Sequence, residues 1–97
     1  MPQTHAKLSD AEITKALASL DGWKVDGAGM LSREFKFADF SHAFAFMAGV
    51  ATVAQAMDHH PDWSNVYNKV TVRLSTHDAG GLTQKDFDLA KKMNEFV

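Results

Sequence analysis

The chain has 97 residues, of which 45% are hydrophobic, with a formal net charge of −2 and no cysteine. This length fits one domain, and we expect residues 1–97 to fold as a single unit. The absence of cysteine excludes disulfide scaffolds, thiolate catalysis and cysteine-ligated zinc. The small negative charge and the lack of a Lys/Arg run argue against direct binding to nucleic acid or anionic lipid.

The apolar segments of the sequence are short. No apolar run approaches the roughly 20 residues that a membrane span needs, and the N-terminus lacks the apolar core of a signal peptide. We therefore predict a cytoplasmic protein whose partner is a small neutral molecule or another protein. Because a chain of this size buries only roughly 60 to 65% of its unfolded surface, self-association would be a useful source of further burial.

The N-terminal third predicts a helix followed by a hairpin. Ser-Asp-Ala-Glu at 9–12 is a capping box that opens a predicted helix over residues 9–20, and Asp-Gly at 21–22 ends it. Residues 23–26 and 30–37 are predicted strands on either side of a Gly-Ala-Gly turn. In the second of them, apolar and polar side chains alternate as a half-buried strand requires.

The second predicted helix has Asp39 as its N-cap and extends to about Asp58. Apolar side chains recur along it at 3.6-residue spacing, namely Phe40, Ala43, Phe44, Met47, Val50, Ala51, Ala54 and Met57. Its other side is also apolar and includes Phe46 and Val53. We therefore expect this helix to be covered on two sides, by the sheet and by another helix or subunit.

The C-terminal part predicts a second hairpin and a last helix. Residues 63–67 and 70–75 are the predicted strands, joined across 68–69, and residues 76–81 form a loop. A second capping box begins at Thr83. The predicted inner side of the last helix consists of Phe87, Ala90, Met93 and Asn94. The order αββαββα indicates an α+β fold of two layers, with a four-stranded antiparallel sheet and helices packed on one face.

Two adjacent histidines stand before a proline in the segment DHHPDW at 58–63. The residue before a proline is disfavoured in the α region, so a break at Pro61 would let both imidazoles reach one cavity. Simple C-capping is an alternative, because a helix C-terminus stabilises charged histidine. His77 can return to the same place across the second hairpin. Asp86, in the first turn of the last helix, can join them or serve only as a capping acid.

Three imidazoles and a carboxylate fit either a metal site or proton transfer. The H-x-x-x-H and H-x-H spacings common in zinc sites are missing, which favours a metal-free cluster. Histidine titrates near neutrality and therefore suits acid-base work. His5 and His42 are expected to face solvent, and Gly80-Gly81 lacks the pattern of a phosphate-binding loop.

A series of separated motifs resembles the pterin-4a-carbinolamine dehydratase family. They are the His-His-Pro segment, an aromatic residue two positions later, an Asn-x-Tyr-Asn-x-Val strand and a Ser/Thr-x-His loop before the last helix. The resemblance covers nearly the whole chain, from FADFSHAFAFM to the stretch DHHPDWSNVYNKVTVRLSTHDAGGLTQKDFDLA.

The resemblance implies dehydration of 4a-hydroxytetrahydrobiopterin to quinonoid dihydropterin and water, without metal or organic cofactor, in tetrahydrobiopterin recycling. It implies catalytic roles for His59, His60 and His77. We assign His60 and His77 to direct proton transfer and His59 to positioning or acid catalysis, and the sequence does not separate these roles. The implied substrate contacts are Asp58, Pro61, Trp63, Ser75, Thr76, Asp78 and Asp86.

The family resemblance also bears on partners. It implies a functional link to an aromatic amino-acid hydroxylase, and the apolar second helix predicts a homodimer or homotetramer. Some members of the family act as dimerisation cofactors of a transcription factor, so the alternative is an interaction module without essential catalysis. Gln55 stands where family members often have Glu, which removes a carboxylate from beside the histidines.

Overall fold

The computed structural model describes residues 6–97, which form three α-helices and one four-stranded sheet. In chain order the elements are α1 (Asp10–Ala18), β1 (Lys24–Val25), β2 (Leu31–Lys36), α2 (Phe40–Met57), β3 (Asp62–Val66), β4 (Lys69–Leu74), a 3₁₀ turn (His77–Ala79) and α3 (Gln84–Asn94). The predicted order and the α+β class are confirmed. The prediction for His5 falls outside the described residues.

The sheet has the strand order β1-β2-β4-β3, and all neighbouring strands are antiparallel. The two predicted hairpins form its halves, and a pairing of β2 with β4, from Leu31↔Leu74 to Lys36↔Lys69, joins them. Buried side chains alternate along the central strands and lie on one face: Leu31, Phe35, Val70, Val72 and Leu74. These side chains share one core with residues of α2 and α3, so the helices cover this face.

Helix α1 begins at the predicted capping box but ends earlier than predicted. The Ser9 hydroxyl accepts from the Glu12 N–H, and the Glu12 carboxylate accepts from the Ser9 N–H. This backbone hydrogen bond is the main reason why the pKa of Glu12 lies below its ordinary value. The helix stops at Ala18 because the next backbone bonds are short-range turns, with the Leu20 N–H on the Leu17 carbonyl at 3.0 Å. That turn brings Leu20 into the core.

Helix α2 follows the predicted Asp39 cap, whose carboxylate accepts from the His42 N–H. This bond is the leading cause of the lowered pKa of Asp39. The Asp39 carboxylate also contacts the His42 ring at 2.7 Å, and His42 is exposed as predicted. The side chains that α2 buries are Ala43, Phe46, Val50 and Ala54.

The buried face of α2 is rotated relative to the predicted stripe. Phe40 and Phe44 belong to the predicted apolar stripe, but they are 50% and 58% exposed. Phe46 takes their place, because its ring packs at 4.6 Å from the Phe35 ring on the sheet. On another side α2 contacts the chain just after α3, where Gly49 leaves room for the ring of Phe96. The sheet therefore covers one side of α2, and the end of the chain covers part of another side. The side with Phe40 and Phe44 is open.

Helix α2 is long and apolar enough to approach the dimensions of a membrane span, which was not predicted from the sequence. Its 18 residues have a mean hydropathy of 1.3, which meets a length and composition criterion for a span. A core helix of a soluble protein meets the same criterion, so a single helix of this kind is weak evidence. Here its inner face packs in the core with the sheet.

The second hairpin turns one residue earlier than predicted. Val66 pairs with Lys69, so Tyr67 and Asn68 form the turn in place of 68–69. Tyr67 has a positive φ of 52°. The Asn65 side-chain amide donates to the carbonyls of Tyr67 and Lys69 and thereby holds this turn. A side-chain amide of this kind offsets the unfavourable left-handed backbone.

Candidate functional site

The end of α2 places its two histidines in different surroundings. Asp58 adopts the left-handed conformation, with φ 52° and ψ 43°, and its N–H bonds to the carbonyls of Ala54 and Gln55. The helix therefore breaks at Asp58, before Pro61 is reached. After this reversal the His59 side chain is buried and the His60 side chain is exposed.

His59 forms a buried pair with Asp86 of α3. The His59 Nε2 lies 2.6 Å from the Asp86 Oδ1, and the two side chains are 9% and 0% exposed. The second carboxylate oxygen of Asp86 accepts from the Thr83 N–H and from the Thr76 hydroxyl, each at 2.9 Å. Asp86 is thus the acid of the capping box and the partner of a histidine at the same time.

This network decides how His59 is held. A buried carboxylate is stable only when donors surround it, and here the donors come from three separate parts of the chain. Because Asp86 can only accept when it is ionised, His59 donates through Nε2–H and has Nδ1 left for another contact. Thr76 uses its proton on Asp86 and accepts from the Thr83 hydroxyl at 2.7 Å. Both histidine and carboxylate are therefore fixed in position.

His60 has a different partner. Its Nε2 lies 3.0 Å from the Oε1 of Gln55, on the last full turn of α2. Both residues are exposed. The two neighbouring imidazoles thus differ in the charge of their partners, since His59 contacts a carboxylate and His60 an amide.

The loop after β4, which carries the third histidine, contacts this region through Thr76. The Thr76 N–H bonds to the Gly81 carbonyl at 3.0 Å and closes the loop around the 3₁₀ turn. Thr76 reaches Asp86, so His77 follows directly on a residue of the network. His77 and Asp78 are exposed and Ser75 is half-buried. Among the described residues, the His77 ring makes no hydrogen bond to His59 or His60.

The remaining predicted contacts lie on either side of His59 and His60 in the chain. Pro61 is half-buried, Asp58 is exposed, and Trp63 is half-buried and packs against the core. Two contributors to the site were not predicted from the sequence. Thr83 was recognised only as a cap, although it bonds both Thr76 and Asp86, and Lys85 donates through Nζ to the Asp58 carbonyl at 3.3 Å. A capping-box pattern reports local bonds only, so it carried no signal for these longer contacts.

A metal site would require several ligand side chains from residues 6–97 around one point. No group of three or more His, Asp or Glu side chains in this range is arranged to hold one metal ion. His59 contacts Asp86 of the protein itself, and His60 contacts Gln55.

Known proteins match this chain along almost its whole length. Residues 6–96 match the sequence model of the family described as pterin 4 alpha carbinolamine dehydratase. The chain belongs to this family. A protein of Mesorhizobium japonicum, provisionally named pterin-4-alpha-carbinolamine dehydratase, is 58% identical over 96% of both chains. A Solibacter usitatus protein with the same provisional name is 57% identical over 91% of this chain and 92% of its own.

A solved structure is similar as well. The crystal structure of a Brucella melitensis protein, described as transcriptional coactivator/pterin dehydratase, has a TM-score of 0.90 and 49% sequence identity. The match covers 93% of this chain and 97% of that one. In this member of the pterin carbinolamine dehydratase family, three distant segments meet through the Asp86 network: the end of α2, the loop after β4 and the start of α3.

Proposed function

We propose that this protein dehydrates 4a-hydroxytetrahydrobiopterin to quinonoid dihydropterin and water by histidine acid-base catalysis. The observation that carries the proposal is the buried His59–Asp86 pair in a chain of the dehydratase family. The exposed His60 and His77 adjoin it in the chain, since His60 follows His59 and His77 follows Thr76, which bonds to Asp86. A buried, oriented imidazole next to accessible ones suits a reaction that needs both an acid and a base.

The chemistry requires two proton movements. The bond between carbon 4a and its hydroxyl oxygen breaks, and an acid protonates that oxygen so that it leaves as water. A base takes a proton from a ring N–H, and the electron pair released forms the new double bond. A carboxylate bonded to a histidine fixes the orientation of the ring, so we assign positioning or acid catalysis to His59, which Asp86 holds.

His60 and His77 are the proposed partners in proton transfer, because both are exposed and can meet a substrate directly. The proposed contacts around the pterin are Asp58, Pro61, Trp63, Ser75, Thr76 and Asp78. For Asp86 we propose a positioning role instead of a substrate contact, since its carboxylate is fully buried and engaged by protein donors.

The test is the decay of chemically generated 4a-hydroxytetrahydropterin, followed by ultraviolet absorbance with and without the protein. We expect acceleration that a chelator leaves unchanged. Replacing His59, His60 or His77 by Ala should slow the reaction by about a hundredfold or more, the scale of acid-base catalysis. His42→Ala is the matched control, because His42 is an exposed histidine at the other end of α2. No acceleration, or acceleration lost with chelator, would refute the proposal.

The proposed activity has a place in tetrahydrobiopterin recycling, after turnover of an aromatic amino-acid hydroxylase that generates the 4a-hydroxy substrate. A cytoplasmic location remains a prediction from the sequence.

We also propose self-association through the open side of α2, to a homodimer or homotetramer. Phe40 and Phe44 are about half exposed there, and Ala48 and Ala51 on the same side are exposed as well. Small residues next to large apolar ones let a second helix approach closely, and large exposed apolar patches mark interaction sites. The alternative is a regulatory partner on the same surface, in line with the coactivator description of the Brucella melitensis protein.

A further inference from the structure

His60 contacts a side chain to which none of the roles above has been given. Gln55 Oε1 is 3.0 Å from the His60 Nε2, five residues further along the chain. The left-handed Asp58 makes this contact possible, because it turns the chain back over the last turn of α2. A regular helix would put these two positions on different sides.

The chemistry of an amide determines what this contact does to the ring. An amide oxygen only accepts, so the His60 Nε2 carries the proton of the neutral imidazole. The lone pair then lies on Nδ1, which becomes the nitrogen that can take a proton. Without a fixed partner, an exposed imidazole exchanges between both tautomers.

The charge of the amide matters as much as its geometry. A carboxylate at this position would favour the positively charged ring, as any opposite charge within about 4 to 6 Å does. A neutral amide holds the ring without that effect. The two adjacent histidines therefore have partners of different charge. His59 contacts the Asp86 carboxylate, and His60 contacts the neutral Gln55 amide.

We propose that Gln55 is a positioning residue for His60, which holds the neutral ring with its proton on Nε2 and directs Nδ1 to act as the proton acceptor. Its effect on catalysis rests on the proposed dehydratase function, but its effect on the ring does not. Gln55 itself touches no reacting atom in this proposal.

The first experiment is nuclear magnetic resonance of the protein labelled with ¹⁵N-histidine, in which the couplings of the ring nitrogens distinguish the two tautomers. The His60 signals are assigned by their loss in His60→Gln. We expect the Nε2–H tautomer in the wild type and a mixture of tautomers in Gln55→Ala. In Gln55→Glu the ring should titrate about 0.5 to 1 pH unit higher than in the wild type.

His42 is the internal control, because its own partner Asp39 lies at the start of α2 and should not respond to either variant. Ala and Glu are good helix formers, so both variants should keep the fold, which circular dichroism checks. Two outcomes would overturn the proposal: an Nδ1–H tautomer in the wild type, as a reversed amide would produce, or tautomer populations that Gln55→Ala leaves unchanged.

The second experiment links the ring to the reaction through the pH profile of dehydration. In Gln55→Glu the acidic limb of the profile should move upward by the same amount as the His60 titration, whereas a merely structural change would lower the rate without moving it. If the His60 ring titrates at a higher pH in Gln55→Glu but the acidic limb of the pH–rate profile stays in place, His60 is excluded as the base. No dehydration by the wild type, with the expected tautomers, would refute the proposed function and leave the role of Gln55 on the ring intact.

Discussion

Asp86 is the side chain on which the site depends most. It is completely buried, yet its two oxygens accept from His59, Thr76 and the Thr83 backbone. A carboxylate at the third position of a helix is common as a cap, and such a cap is normally exposed. Here the buried carboxylate caps α3 and also connects α3 to the end of α2 and to the loop after β4 through hydrogen bonds.

Replacing Asp86 by Asn should therefore destabilise the fold as well as the site. The amide cannot accept at both positions, so a buried donor loses its partner, and we expect the free energy of unfolding to fall by about 2 to 4 kcal/mol. Urea denaturation at equal protein concentration measures this. Asp88→Asn is the control on the same helix, because Asp88 is exposed and should lose less than about 0.5 kcal/mol. Similar losses for both variants would contradict the role given to Asp86.

At the scale of the secondary-structure elements, Asp26 connects the turn between β1 and β2 to strand β4 through hydrogen bonds. One carboxylate oxygen accepts from the N–H groups of Ala28 and Met30, and the other accepts from Arg73 Nε on β4 at 3.0 Å. The Met30 N–H is the main cause that lowers the pKa of Asp26, with Arg73 acting in the same direction. A strand of two residues such as β1 needs anchors of this kind.

This lowered pKa predicts a pH dependence. A carboxyl whose pKa is lower in the folded than in the unfolded chain stabilises the fold above the unfolded value of about 3.9, and the stabilisation disappears as the pH falls through the folded value. Thermal melts should show Asp26→Ala melting below the wild type at neutral pH, with a difference that is constant above about pH 5 and shrinks below about pH 4. A difference that persists unchanged at low pH would disprove this contribution.

At the scale of the whole molecule, the open side of α2 is an apolar surface that residues 6–97 leave without cover. An exposed Phe is ordinary by itself, but two of them one turn apart, followed by exposed alanines, form a continuous apolar stripe. The stripe runs toward Gln55, so a second subunit on it would lie next to the candidate site.

Phe44→Glu should break the self-association that we propose. A charge in an apolar helix interface is costly to bury, so the variant should sediment as a smaller species than the wild type in analytical ultracentrifugation. Tyr67→Glu is the matched control, because Tyr67 is equally exposed but lies in the turn between β3 and β4. A monomeric wild type at about 100 μM, a concentration that populates only interfaces tighter than roughly 5 kcal/mol, would contradict the proposal.

Local interactions explain which features the sequence alone could predict. The caps at Ser9, Asp39 and Thr83 and the two hairpins involve residues a few positions apart, and all were predicted correctly to within one or two residues at most ends. The family motifs are also contiguous patterns. They determined the family of the chain and the residues that we assign to the site, whose roles remain predictions.

Only the tertiary structure decided the pairs between distant residues. The pairing of β2 with β4, the rotation of α2 that buries Phe46, and the choice of Asp86 as the partner of His59 depend on how whole elements pack. Several arrangements satisfy the same helical and strand periodicities, because a period specifies a face and not its neighbour. Packing of that face against one particular sheet selects the arrangement, and with it the different partners of the two adjacent histidines.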